Sequence, residues 1–356
     1  MATTAVTALS FGTPNIQATT REVWNKSIRD QVLLRNIMLA KLTEFGRVVK
    51  KRVAVIRQPI STARLDTLVQ PFAYGQPMNS AKQSFLAAPW WGIKRQQIPI
   101  VRTLEEELNN NAVDQPIDLA KAIVDASQKG LRTSLAAQMY GFDLLNATVY
   151  DSTDDDGTTR ASLFIQSMRQ ALSHTLTYGH QPRTTTADKV VWAGGSIAGS
   201  FSDSGTAYSA SIKTFRDCID TVMQYASGPS DLMAICGKEI FRAIQSQAEA
   251  KGSGVVVKTG DTAKYGYEYI EIDGVMLVKD LFLNETRCTG ASTMFFMLNM
   301  PDWEFRMHPL GDMTISPFVF QGDRSDSVYE WLARAYLFGN LVCYKPNGSI
   351  YLSNMA

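Results

Sequence analysis

The chain is poor in the residues that most often do chemistry. Its 356 residues include three histidines and four cysteines. Cys218, Cys236, Cys288 and Cys343 lie far apart, with no C-x-x-C spacing. That excludes a zinc knuckle and a dithiol redox pair, and leaves them as separate buried thiols. His174 and His180 are six residues apart, whereas paired ligands on one helical face stand four apart. His308 alternates with Glu304 and Arg306 on the expected solvated side of a strand, and all three histidines are expected at the surface. A dominant charge is also lacking. The 35 basic and 34 acidic side chains leave a net charge of +1. A protein that grips nucleic acid through its phosphates usually carries a basic excess, and this chain has none. No window approaches the roughly 18 apolar residues of a spanning helix. Met1 to Gln17 has no basic flank and apolar run of the secretory kind, so neither a membrane span nor a signal peptide is expected.

The near-motifs fail at the residues their chemistry needs. Around Val190–Gly199 the glycines stand at 194, 195 and 199, which is not the G-x-G-x-x-G of a dinucleotide site. Ser196 has Gly194 before it but Ala198 after it, where a nucleophile elbow needs a second glycine. Ser152, Asp154, Asp156 and Gly157 resemble the front of a calcium loop, but Leu163 stands where the bidentate Glu belongs. Trp90 and Trp91 could stack on bases. With only Lys94 and Arg95 as basic neighbours, they read better as packing at a ribbon root. No catalytic residue, cofactor or metal is expected.

What is present is organisation. Hydrophobic residues make up 45% of the chain, and its length exceeds one ordinary core, so two domains with extensions are expected. Residues 1–18 read as a small-residue tail. Thr19 and Glu22 stand in capping-box spacing, and Trp24, Ile28, Val32, Leu39 and Leu42 recur at helical intervals. Leu33, Leu34, Ile37 and Met38 widen that stripe, so the helix needs partners on more than one side. Two strand-like runs follow, Arg47–Ile60 and Trp90–Arg102, separated by about thirty turn-rich residues including Pro71, Gly75, Pro77 and Asn79. An isolated two-stranded ribbon is marginal in water, so this one is expected to project and pack on another copy of the chain. Lys50, Lys51, Arg52 and Arg57 would keep its edge from pairing indiscriminately, and Pro59 and Pro99 sit near its base.

Residues 117–145 predict a helix about 40 Å long. Pro116 opens it, Ala120, Val124, Leu131, Leu135, Met139 and Phe142 set its rhythm, and Gly130 is a weak spot inside it. Beyond an acidic loop at Asp151–Gly157, helices at 161–178, 209–226 and 238–251 alternate with strands at 189–193, 231–236, 254–258 and 269–278. That alternation argues for a mixed sheet covered by helices. From 293 the text is β, with strands at 293–299, 303–307, 314–321, 329–338 and 349–352.

This order, with the segments TREVWNKSIRDQVLLRNIMLAKL (20–42), PDWEFRMHP (301–309), SPFVFQG (316–322) and LFGNLVCYKPNGSIYLSN (337–354), resembles the Hong Kong 97-type major capsid protein of tailed bacteriophages. The resemblance implies an α+β, Hong Kong 97-like capsid fold. Its parts would be an N-terminal arm (1–46), an extended β-hairpin loop (47–103), a peripheral domain with the long spine helix (104–149), an axial domain (150–300) and return strands of the peripheral domain (301–356). It implies hexamers and pentamers in an icosahedral head around double-stranded DNA, assembled in the host cytoplasm and ending in the virion. A separate scaffolding protein, a portal and decoration proteins would be partners. Subunit contacts would come from Trp24, Ile28 and Val32 in the arm and from Lys50, Lys51, Arg57, Lys94 and Arg95 in the loop, with Glu105, Glu106, Asp323 and Asp326 as acidic partners. Lys82 lies near the loop tip, but a lysine crosslink is not expected. An encapsulin-type compartment shell shares the fold and is the alternative; a decoration protein or an α/β enzyme on 150–280 fits less well.

Overall fold

The computed structural model describes residues 36–61, 86–103, 119–144, 148–149, 163–181, 183, 192–197, 207–251, 269–280, 282–283, 290–321 and 330–355. The arm sequence before Asn36, the loop tip with Lys82, the acidic loop 151–157 and the expected strand 254–258 lie outside them. Along the chain come α1 (Ile37–Glu44), β1 (Val48–Lys50), β2 (Val55–Arg57), β3 (Ile60–Ser61), β4 (Leu86–Ala87), β5 (Trp90–Gly92), β6 (Lys94–Thr103) and α2 (Leu119–Tyr140). Next are β7 (Phe142–Asp143), β8 (Thr148–Val149), α3 (Met168–Leu172), α4 (Ile212–Met223), β9 (Leu232–Cys236), α5 (Lys238–Lys251), β10 (Tyr269–Ile272) and β11 (Val275–Lys279). The chain finishes with β12 (Phe295–Asn299), β13 (Trp303–Ile315), β14 (Val319–Gln321), β15 (Glu330–Cys343) and β16 (Ile350–Leu352).

Two five-stranded sheets organise these elements. The first runs β1-β13-β15-β14, with β6 on the other side of β15. Its strands β13 and β15 are long, and β15 runs past the expected end at 338 through Gly339–Cys343, which are all buried. The second runs β10-β11-β9-β12-β16. Its central strands β9 and β12 are buried at every residue, as a sheet with α4 and α5 packed on it requires. The last strand, expected to follow the other return strands, instead pairs Phe295–Met297 with Leu352–Ile350 in this second sheet. Segment 301–356 is therefore shared between the two sheets.

The long helix is α2, which has 22 residues and stops at Tyr140 rather than 145. Gly141, at φ 91, takes the left-handed conformation that ends helices. Gly130, the apparent weak spot, has a structural reason. A side chain there would press on Ile98 Cδ1 at 3.2 Å, so its absence lets α2 lie close on β6. The far end of α2 is tied to the second sheet, where the Tyr140 hydroxyl donates to Asp280 Oδ2. Burial raises the Asp280 carboxyl above its usual range, and the bonds from Tyr140 and the Phe282 N–H oppose the shift.

Three expectations change with tertiary context. The helix at 161–178 shrinks to α3. Ser167 caps it by accepting from the Gln170 N–H at 3.0 Å, and beyond it the Ser173 hydroxyl accepts from the Thr175 and Leu176 N–H groups, at 3.1 and 3.2 Å. Such local bonds compete with helix continuation. Trp192 and Ala193, expected in a strand, lie outside any. The histidines are not all surface residues. His174 is buried and His180 half-buried against Trp90. Glu304 is buried as well, because Tyr344 folds over it and donates at 2.8 Å while Arg306 pairs with its other oxygen. Cys218, Cys236 and Cys343 are buried and free, as the sequence suggested.

Candidate functional site: the root of the ribbon

The chain leaves the first sheet at a defined point. β1 runs parallel to β13, with Val48, Val49 and Lys50 opposite Phe305, Arg306 and Met307. The Arg47 carbonyl accepts from the Phe305 N–H at 3.0 Å, and the Lys51 N–H donates to the Met307 carbonyl at 3.1 Å. From there the chain forms the ribbon, in which β2 pairs with β5 and β3 with β4. The strand expected from Arg47 to Ile60 is thus three short pieces, because its first part belongs to the sheet and its remainder to the ribbon.

Aromatic packing fixes the ribbon's root. Ile56 sits opposite Trp91, and both are buried. The Trp91 ring lies 5.5 Å from Tyr178, 6.3 Å from Trp192 and 6.4 Å from Tyr344, the last edge-on. Trp90 stacks on His180 with centroids 3.6 Å apart and planes 9° from parallel. Both partners come from the tight turn Tyr178–Gln181, whose central residues Gly179 and His180 each have φ 59. Two consecutive positive values are those of a type I′ hairpin turn. Gly179 is needed twice over, since a side chain there would also strike Pro89 and Trp91 at 2.9 Å. Its carbonyl accepts from the Trp90 N–H at 3.2 Å.

Buried polar groups lock this packing. Asn340 on β15 is fully buried; its Nδ2 donates to the Gly92 carbonyl at 2.8 Å and its Oδ1 accepts from the Gln166 N–H at 2.9 Å. The Tyr178 hydroxyl accepts from the Cys343 N–H at 2.6 Å, and burial pushes its phenol well up. Trp192 Nε1 donates to the Tyr178 carbonyl at 3.0 Å. Beneath them Arg183, itself buried, donates to the carbonyls of Trp192 and Ala171 at 2.6 Å, Gln170 at 3.0 Å and Ser173, with its guanidinium 5.4 Å from the Tyr178 ring centre. The arrangement ties the paired strands β2 and β5 to β15 and to the Tyr178–Gln181 turn. Among the described residues no group of three or more His, Cys, Asp or Glu side chains could hold a metal ion. Nor is any helix among them long and apolar enough to cross a membrane.

No protein-family model matches the sequence, and no curated protein matches it. Solved structures do. The cyanophage A-1(L) capsid asymmetric unit aligns over 91% of both chains with a TM-score of 0.59 at 13% identity. The capsid of an empty GTA particle covers 89% of this chain and 90% of its own, with a TM-score of 0.51 at 10% identity. The native GTA particle gives 0.50 at 8% identity over the same shares. The chain has a capsid-subunit fold. Within that capsid fold, the sequence-derived contact residues divide. Lys50 pairs with Asp312 of its own chain, and Arg95 lies 5.9 Å from the Phe338 ring centre. Lys94, expected on an open ribbon, is buried in β6. Lys51 and Arg57 are exposed. Lys50, Met307, Gly339 and Lys94 form one row across four strands, where β1 ends and β6 begins. Thr103 and Glu330 pair at the far end of the β6–β15 ladder; in sequence Glu105 and Glu106 follow Thr103, and Asp323 and Asp326 precede Glu330. These four acids, with Trp24, Ile28 and Val32, lie outside the described residues. Sequence reasoning missed Asn340, Arg183 and Tyr178, whose partners are distant in the chain. Only the Gly179–His180 dipeptide offered a local turn signal.

Proposed function

We propose that this is the major capsid protein of a tailed phage, a structural protein that assembles into hexamers and pentamers of an icosahedral head around double-stranded DNA. The observation that carries the reading is the ribbon, anchored at Trp91 and Asn340 on a capsid-subunit fold. Segments 1–46, 47–103, 104–149, 150–300 and 301–356 serve as arm, extended loop, peripheral domain with spine, axial domain and peripheral return, the last also lending β16 to the axial sheet. The arm packs on a neighbour through Trp24, Ile28 and Val32. The loop lies across another, where Lys51 and Arg57 meet acids such as Glu105, Glu106, Asp323 and Asp326. Lys50 and Arg95 exchange their own-chain partners only if the neighbour offers better ones. Exposed ion pairs contribute roughly 0–1 kcal/mol each. Interfaces of about 1,600 Å² vary widely in affinity, and many modest contacts to several siblings multiply through effective concentration. A separate scaffolding protein guides closure in the host cytoplasm, and a portal occupies one vertex.

The arm supplies the test. Trp24→Ala combined with Ile28→Ala is expected to abolish particle formation, followed by light scattering and microscopy, while leaving the melting temperature of the dilute subunit almost unchanged. Equal loss of both would make the arm an ordinary core helix and count against the shell.

A further inference from the structure

Growing sheets are a hazard for a protein that lives at high local concentration, because an open strand edge accepts any other strand. β6 and the stretch of β13 that β1 does not cover each carry a proline, and the register and hydrogen bonds show what each does. Arg334 on β15 turns its backbone toward the β13–β14 side: its N–H donates to Ser316 Oγ at 2.9 Å and its carbonyl accepts from the Ser316 N–H at 2.8 Å. Arg334 pairs with Pro99 on β6. In an antiparallel pair whose one member faces away, the other faces away too. The backbone of Pro99 therefore points out of the sheet, along the side of β6 that has no strand partner among the described residues. The proline costs the β6–β15 ladder nothing and deletes a donor from the open edge. It also interrupts the run Gln97–Arg102 (QIPIVR), which without it would combine β-branched residues, low charge and an exposed Val101.

The stretch of β13 beyond β1 is guarded differently. β1 covers β13 only as far as Met307. The next residues form an irregularity between Met307 and Asp312. Pro309 has no N–H, the Leu310 N–H donates to His308 Nδ1 at 3.2 Å, and the Leu310 carbonyl accepts from Thr314 Oγ1 at 3.1 Å. The Leu310 side chain is 70% exposed, yet its own side-chain neighbours occupy its backbone groups.

We propose that Pro99 and the Pro309 segment are specificity-determining residues of self-association: they guard the β6 edge and the stretch of β13 beyond β1 against pairing with a second copy of this chain, so that copies do not join along these two strands. The inference takes its meaning of correct assembly from the proposed shell function, but the edge chemistry is read independently. Pro99→Val restores the outward donor at a position where no ladder bond changes. The dilute variant is expected to keep its circular dichroism and melting temperature. It is also expected to form irregular, thioflavin-positive polymer at a concentration roughly 3- to 10-fold below that of the wild type, the effect of about one added hydrogen bond per contact. Gln97→Val, which adds an apolar β-former on the same outward-facing set without adding a donor, should stay as soluble as the wild type. Equal solubility of Pro99→Val and wild type, or equal aggregation of both variants, would overturn the guard while leaving the shell reading untouched. Failure of the wild type to form shells would count against the shell alone.

Discussion

Replacing residues 62–85 with a two-residue turn is expected to leave a folded, soluble subunit that forms no particles. Every described contact that fixes the ribbon lies on the near side of the Ser61–Leu86 pair. Ile56 and Trp91 remain in the core, Gly92 remains bonded to Asn340, and the Gln58 N–H still reaches the Pro89 carbonyl at 3.3 Å. The trimmed chain should therefore unfold within about 1 kcal/mol of the intact one, a shift of about 1–2 °C for a chain of this size. Closing the ribbon with a short turn also lowers the loop-closure cost slightly. Assembly should fail completely, because a limb that spans to a neighbour cannot be replaced by contacts the neighbour lacks. Melting curves and light scattering on the same sample check both halves. Normal particles from the trimmed chain would remove the ribbon from the mechanism.

Arg183→Met is expected to have the largest effect on stability of any single substitution at the root. The guanidinium joins the end of α3, through the carbonyls of Gln170, Ala171 and Ser173, to that of Trp192, and lies against Tyr178. A methionine fills part of the volume but donates nothing, so buried carbonyls lose their partner at a cost of about 1–3 kcal/mol each when unrelieved. Some relaxation will occur, so a total of about 3–5 kcal/mol is expected in urea unfolding. Arg183→Lys should recover less than half of it, since one ammonium cannot span carbonyls that a planar fork reaches together. Trp91 and Trp90 should also become more mobile, visible as a change in near-ultraviolet circular dichroism. A loss below about 1 kcal/mol would show that the carbonyls find other donors and that the root is held by ring packing alone.

The parts legible in the sequence are those whose signal is local. Leu232–Cys236 and Lys238–Lys251 appear where their apolar runs and helical spacing place them. The hairpin from Tyr269 to Lys279 is one expected strand folded at Asp273–Gly274, a turn dipeptide that could have divided it. The segment 161–178 misled because its apolar spacing is helical while its serines and the Gly179 turn serve a packing site assembled from elsewhere. His174 looked exposed because polar residues surround it in sequence, yet tertiary packing buries it. The ribbon's existence followed from two strand-like runs and a long polar connection. Its anchorage could not be read that way: the bonds of Asn340 to Gly92 and of Cys343 to Tyr178 join residues far apart in the chain, and a lone Asn or Tyr carries no signal of its partner. Lys94 was misplaced for the same reason, since its strand belongs to the sheet under α2 and not to the free ribbon.

The central claim is that the limbs of this subunit complete their packing on siblings. Electron cryomicroscopy of the purified chain, expressed alone and together with a candidate scaffolding protein, tests that most directly. The account predicts closed shells of uniform diameter in which each ribbon lies across the adjacent subunit. A compact monomer at every concentration, with arm and ribbon folded against their own core and no response to the partner, would contradict it.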